Sequence, residues 1–418
     1  MAKRIVFAVW GSLGDLHPYL AIARELQARG HHCIIATHYT ARPRVEASGL
    51  AFAPMGPHID PDPEAIKKAM QLRRGPPYLL RDLVFPYTPL SFEETMRAIV
   101  GADLLITHPI AYGAQLAAQK SGIRWASTTL APMGFMSAYE PSLRRQSPVL
   151  ARLTTFGPML DRALLCYGRR ATASWIRPLR QLRAELGLPR GASPIFEGQF
   201  SPALTLALFS PVFGRPQADW PKNTCITGFP FYREPAPLDA ELRKFLEDGE
   251  PPVVFTLGSS ASVAPGPFFD ESLRAISSLG CRAVLIVGEF APNAMPKALP
   301  PNVAVFPYAP YSELFPHAAV NVHQGGIGTT AEALRAGRPM LVVPFAFDQP
   351  DNAARAEELR VARGVPIKSY TAQRAARELE RLLHDPSYAK NAAALGERIR
   401  TENGVGATCR ELEALLAS

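Results

Sequence analysis

The stretch from Ala318 to Pro339 constrains the fold more than any other part of the chain. Ala318-Ala-Val-Asn-Val322 is short and apolar and suits a buried strand. After His323 and Gln324, the glycines Gly325, Gly326 and Gly328 let the backbone approach a neighbour closely, and Thr329–Ala336 carries a helical pattern that Gly337 and Pro339 end. A helix N-terminus is thereby aimed at whatever lies over the glycines. Its unpaired amides and positive dipole end suit phosphate, each such interaction contributing about 0.3–1 kcal/mol when exposed.

The same alternation of strand and helix occurs twice. In the first half, strands are expected near Arg4–Trp10, His32–Thr37, Leu104–Thr107 and Arg124–Thr128, with helices near His17–Arg29, Phe92–Val100 and Ile110–Lys120. In the second, strands near Pro252–Leu257, Arg282–Val287, Val303–Phe306, Ala318–Val322 and Met340–Val343 alternate with helices near Pro267–Leu279, Thr329–Ala336 and Asn352–Leu359. This is an α/β chain with parallel sheets. At 418 residues it exceeds one ordinary core, and the proline-rich, aperiodic Gly228–Leu238 reads as a linker between two halves. The expected division is 1–228, a linker over 229–240, 241–384, and C-terminal helices over 385–418. Segments 54–89 and 130–200 are the least regular and would line a variable pocket.

With 47% hydrophobic and 20% charged residues, the composition is that of a globular protein. No apolar run reaches the roughly 18 residues that span a bilayer. The apolar stretch after Met1-Ala-Lys-Arg4 is too short for a signal peptide, so a cytoplasmic protein is expected. Five scattered cysteines suggest neither disulfides nor a zinc site. Residues 1–230 carry 26 Lys+Arg against 15 Asp+Glu, or +11, and the remainder 19 against 22, or −3. Ten of those arginines fall within 144–190, which is either a solvated helical face or a contact for the anionic inner surface of a membrane. Nucleic-acid binding is not expected, because no fold signature accompanies the charge.

Several residues stand where parallel sheets place ligands, at the C-terminal ends of strands. Gly11-Ser-Leu-Gly14-Asp15 follows the first strand. Asp15 is either a helix N-cap or a carboxylate that takes a proton from a hydroxyl, with His17 or His108 to orient it. Ser259 and Ser260 follow another strand and offer hydroxyls and amides to phosphate or sugar. Glu332 could accept ribose hydroxyls or be an exposed helix acid. Asp348-Gln349 could read a sugar, with an N-cap role for Asp348 as the competing account. Asp60-Pro-Asp62 has D-x-D spacing but lies in a proline-rich loop, and neither metal nor cofactor is expected.

From His323 to Gln349, the spacing of His, glycines, Glu, Gly-x-Pro and Asp-Gln resembles the donor-binding signature of family 1 glycosyltransferases, the UDP-glycosyltransferase superfamily. Gly11-Ser-x-Gly-Asp-x-x-Pro18 looks like the amino-terminal motif of its bacterial and sterol-type members, among which rhamnosyltransferases and macrolide transferases look closest. The resemblance implies a GT-B fold: two facing Rossmann-like domains, the first for the acceptor and the second for the donor, with the last helix crossing back to the first. It implies that His323 and the amides around Gly325–Thr330 hold a diphosphate, Glu332 the ribose, and Asp348 with Gln349 the sugar, while Ser259 and Ser260 face phosphate or donor. Asp15 would be the base, supported by His108. Tyr308-Ala-Pro-Tyr311 replaces the usual Trp-x-Pro-Gln, leaving uridine or thymidine as the nucleoside. The reaction so implied is an inverting, metal-independent hexosyl transfer from a nucleotide sugar to a lipophilic acceptor, for which Phe85, Tyr87, Phe92, Met133, Phe135, Met136 and Phe156 are available. A non-catalytic sugar-nucleotide-binding partner and a Rossmann-type oxidoreductase are the alternatives.

Overall fold

The computed structural model describes residues 1–58, 62–140, 142, 157–234, 237–288 and 299–418, with Ser260 as backbone only. Two compact units result, one of Met1–Pro61, Pro77–Tyr232 and Asn403–Ser418, the other of Asp62–Pro76 and Arg233–Glu402.

The first unit is built on seven parallel strands: β1 (Arg4–Ala8), β2 (His32–Thr37), β3 (Ala51–Pro54), β4 (Leu104–Thr107), β5 (Trp125–Thr129), β6 (Leu204–Ala207) and β7 (Thr224–Ile226), in the order β3-β2-β1-β4-β5-β6-β7. Ile5 to Ala8 are fully buried, as a strand covered on both faces must be. The strand order reverses between β1 and β4, and the crevice outside the carboxyl ends of those two strands is where such a sheet receives ligands. Helix α1 (Leu13–Ala28) follows β1, and α2 (Tyr112–Ser121) follows β4. Helices α3 (Gly157–Ala171) and α4 (Arg177–Glu185) occupy part of the segment expected to be irregular. α1 starts four residues before the expected His17. Pro18 lies inside the helix.

In the second unit, β8 (Val253–Thr256), β9 (Ala283–Ile286), β10 (Val303–Phe306), β11 (Val320–His323), β12 (Met340–Val342) and β13 (Ala362–Gly364) form a parallel sheet ordered β10-β9-β8-β11-β12-β13. Its reversal falls between β8 and β11. Helices α5 (Ile327–Ala336), α6 (Gln349–Glu358) and α7 (Pro386–Thr401) belong to this unit. Val253, Phe255, Leu285, Val322 and Leu341 sit at the centre of its core, and Met70, from the 62–76 segment of the chain's first half, is buried in the same core.

The last helix, α8 (Gly404–Ala417), is part of the first unit. Fully buried Cys409 packs against the carbonyl of Ile22 on α1 at 3.7 Å, Glu413 pairs with Arg29 at 2.9 Å, and Arg124 donates to the carbonyl of Leu415 at 2.7 Å. All five cysteines are free, and Cys166 is exposed. Among the described residues, no helix is long and apolar enough to cross a membrane.

Candidate active site

On the first unit the site is built around Asp15. Gly11 leaves β1 with φ +134°, and a Cβ there would lie 2.3 Å from Asp15 Oδ2, so only glycine lets the backbone pass this close to the carboxylate. The N-cap of α1 is Ser12 rather than Asp15. Asp15, at the third helical position, closes a capping box: its Oδ2 accepts from the Ser12 N–H at 2.7 Å and the Ser12 hydroxyl at 2.9 Å. The other oxygen, Oδ1, lies 3.3 Å from His108 Nε2. The Ile110 N–H donates to His108 Nδ1 at 3.3 Å, which puts the histidine proton on Nε2, facing Asp15.

His108 is buried, its side chain 5% exposed, whereas that of Asp15 is 33% exposed. The carboxylate is therefore the member of the pair that another molecule can reach. Burial pushes its pKa up, but hydrogen bonding and charge attraction from His108, with the Ser12 bonds, outweigh this and hold it below the ordinary carboxylate value. Gly14 is exposed in the first turn of α1, and its carbonyl lacks the ordinary i+4 donor because Pro18 has no N–H. His17 stacks on Tyr232 at 4.9 Å, and His108 lies within hydrogen-bond reach of Asp15.

Sequence reasoning passed over His38. Its Nε2 donates to the Gly11 carbonyl at 3.2 Å, and its Nδ1 receives the Thr40 hydroxyl at 2.6 Å, which braces the turn that carries Asp15. Nor was Ser12 singled out, although Ser-x-x-Asp ahead of an apolar run is a readable capping signal. Gln115 of α2 donates to the carbonyls of Pro109 and His108, at 3.0 and 3.4 Å, and fixes the backbone of that loop.

On the second unit, β11 delivers fully buried His323. The Gly325 N–H donates to its Nδ1 at 3.0 Å, which requires the proton on Nε2, and that N–H has no hydrogen-bond partner among the described residues. Burial lowers the His323 pKa to about 3, so near neutrality the ring is an uncharged donor. Gly325, at φ +89°, passes so close to β12 that a Cβ would lie 2.7 Å from Val342 Cγ1. Gly326 is the N-cap of α5, and Gly328 and Thr329 lie in its first turn, whose amides have no intrahelical acceptors. Thr329 also accepts from Gln324 Nε2 at 3.4 Å.

Ser259 and Ser260 sit in a short helical turn, Gly258–Ala261, directly after β8. They therefore share the strand-order reversal with His323. Asp348 occupies the N-cap position of α6 without capping the backbone; instead its Oδ2 accepts from Asn352 Nδ2 at 2.7 Å. The same Asn352 amide donates to the Gly325 carbonyl at 2.8 Å, so one fully buried residue ties the glycine loop to Asp348. Nothing in the local pattern marks Asn352, because its partners are distant in sequence or hidden in a turn. Gln349 spends its Oε1 on the Phe345 and Ala346 amides, at 2.8 and 3.0 Å, which leaves only its NH2 group for a ligand. These bonds shape a loop in which Phe347 adopts φ +57°, an unusual value for a bulky residue.

Glu332 lies on α5, and Tyr308 follows β10. Glu332 pairs with Arg335 at 2.9 Å beside a cavity of about 220 Å³ lined by Ser312, Pro316, Arg335, Ala336 and Arg400. Burial raises its pKa to about 7 against the attraction of Arg335 and Arg233. Tyr308 donates its hydroxyl to Glu234. Asp60 lies outside the described residues, while Asp62 caps the helix Pro63–Ala69 through the Glu64 N–H at 2.9 Å.

Comparison with known proteins decides the family. Residues 273–414 match the Erythromycin biosynthesis protein CIII-like C-terminal domain, and residues 5–82 match the Glycosyltransferase family 28 N-terminal domain. The chain is 34% identical to O-mycaminosyltylonolide 6-deoxyallosyltransferase of Streptomyces fradiae over 98% of this chain and 97% of that one. It belongs to the family 1 glycosyltransferases. A sterol 3-beta-glucosyltransferase of Neosartorya fischeri is 28% identical over 98% of this chain, which spans only 30% of that longer protein. The spinosyn rhamnosyltransferase SpnG complexed with thymidine diphosphate superposes with a TM-score of 0.71 at 19% identity, over 98% of this chain and 100% of that one. The two parallel-sheet units are those of the GT-B fold. As a family 1 glycosyltransferase the protein is a transferase enzyme, and the oxidoreductase alternative falls away.

Proposed function

We propose that this glycosyltransferase moves a hexose from a nucleoside diphosphate sugar to a hydroxyl of a lipophilic acceptor, such as a polyketide, sterol, terpenoid or phenol, with inversion and without a metal ion. The observation that carries the reading is the Asp15–His108 pair at the ends of β1 and β4. Asp15 takes the proton of the acceptor hydroxyl as that oxygen bonds to the anomeric carbon. The bond from that carbon to the diphosphate oxygen breaks, its electron pair leaving with the nucleoside diphosphate. The neutral His323 Nε2–H and the first-turn amides of α5 meet the charge that develops there. Asp348 and the Gln349 NH2 are assigned to the sugar, Ser259 and Ser260 to phosphate, and Glu332 with Tyr308 to the nucleoside. The relatives' names support the classes of donor and acceptor: one glycosylates O-mycaminosyltylonolide, one a sterol, and the rhamnosyltransferase holds thymidine diphosphate.

Transfer from labelled UDP- and TDP-sugars across phenols, sterols and polyketide alcohols tests this reading, with product configuration read by NMR and each assay run with and without chelator. Absence of transfer from every donor would sink it. Loss of activity to chelator, or a retained configuration, would overturn the metal-free or the inverting component.

The pH dependence has a definite sign. Asp15 works ionised, and its lowered pKa keeps the acid limb of kcat/KM below the ordinary carboxylate range. His108→Phe removes the hydrogen bond and charge attraction while keeping the burial, so the limb should move to higher pH, and His108→Gln should restore part of the shift. A limb that stays in place in both variants would show that His108 does not tune the base.

A further inference from the structure

We propose that a cavity in the first unit, formed by α2, α4 and the loop 190–198, binds a small tetrahedral oxyanion of the phosphate class. It measures about 80 Å³ and is lined by Arg180, Arg183 and Arg190, together with Gln115, Gln119 and Gly191. About 10–15 Å³ of such space admits one water, so the cavity has room for a small oxyanion but not for a nucleotide sugar. Arg180 and Arg183 lie one turn apart on α4, and Arg190 comes from the loop. Among the described residues, none of the three pairs with a carboxylate.

Arg183 is held entirely by neutral acceptors: Gln119 Oε1 at 2.7 Å and the Pro189 carbonyl at 2.7 and 3.0 Å. Gly191, at φ +60°, allows this, since a Cβ there would lie 2.7 Å from Arg183 Nη2. Burial pushes the Arg183 guanidinium below its usual pKa, which marks a cation whose lost hydration is not matched by a counter-charge. Three like charges around one cavity repel, and an oxyanion accepting from their forked donors relieves this. The basic stretch 144–190 is thus more than a solvated face, because part of it converges. Gln115 lines the same cavity and holds the backbone of Pro109 and His108, so occupancy would brace the loop bearing the partner of Asp15.

The test is thermal unfolding of the full chain with saturating nucleoside diphosphate, so that the donor residues are already occupied, titrated with inorganic phosphate against chloride at equal ionic strength. Wild type should gain roughly 5 °C when phosphate stands about a hundredfold above its Kd. The double variant Arg180→Met/Arg190→Met, which leaves the bonds of Arg183 intact, should lose this gain while unfolding at or above the wild-type temperature in chloride. An equal gain in the double variant, or none in wild type, would overturn the proposal. Flotation with phosphatidic acid vesicles separates the sources: binding lost in the variant and competed by phosphate assigns a lipid headgroup, and absence of flotation beside the phosphate effect assigns a soluble ligand.

Discussion

Asp15→Asn should lower kcat by about a thousandfold, within the range that general base catalysis contributes, and leave nucleoside diphosphate affinity close to wild type. An amide has no basicity to offer the hydroxyl. It also meets a hydrogen-bond conflict, because Asp15 accepts on both sides, from Ser12 and from His108 Nε2, whereas an asparagine must present an NH2 to one of these donors. His108 cannot relieve this by changing tautomer, since its Nδ1 receives the Ile110 N–H. The variant should therefore also lose about 1–3 kcal/mol of stability, the ordinary cost of an unmade buried bond. Single-turnover rates and calorimetric titration of nucleoside diphosphate, on protein whose folding has been checked by circular dichroism, separate these effects. Near-normal kcat in folded Asp15→Asn would remove Asp15 as the base.

The second large effect is expected at His323. Replacement by leucine fills similar space but removes the Nε2–H, and loss of one preorganised donor to a developing anion costs about 100- to 1000-fold in kcat. Nucleoside diphosphate should also bind more weakly. With the His323 pKa near 3, the wild-type contribution is that of a neutral donor, and it should not titrate across the working pH range. His323→Leu also orphans the Gly325 N–H, so Gly325 could shift; His323→Asn offers the amide a carbonyl oxygen and should keep more of the loop than of the rate. If both variants bind and turn over donor like wild type, the glycine loop is not the diphosphate site.

Much of the site was legible because its residues follow strands closely. Asp15, His108, Ser259 and His323 each fall within a few positions of an apolar run, and each parallel sheet puts such positions at its own C-terminal edge. The strands that escaped notice have physical reasons to do so. Ala51-Phe-Ala-Pro54 and Ala362-Arg-Gly364 lack β-branched residues, Thr224-Cys-Ile226 is three residues long, and the buried Leu204-Thr-Leu-Ala207 is only four, just past the segment read as irregular; each is held by pairing with neighbouring strands rather than by its own propensity. Helix α3 agrees with the reading of 144–190 as a helical face, although 130–200 as a whole was expected to be irregular; Asp161 and Leu165 are buried one turn apart on it. Phe156 and Arg144, Arg145 and Arg152 of the basic stretch lie outside the described residues.

Local spacing alone was enough for the glycine loop, the helix it opens and the family they resemble, because strand–glycine–helix chemistry is confined to a few consecutive residues. Tertiary structure decided what each polar atom is free to do. Oδ2 of Asp15 is occupied by Ser12 while Oδ1 faces His108, Gln349 turns its carbonyl inward, Asn352 joins two loops, and three arginines line one cavity with no carboxylate partner among the described residues. Hydrogen bonds and charge balance depend on distances of about 3 Å between residues far apart in the chain, and no periodicity in a sequence encodes them.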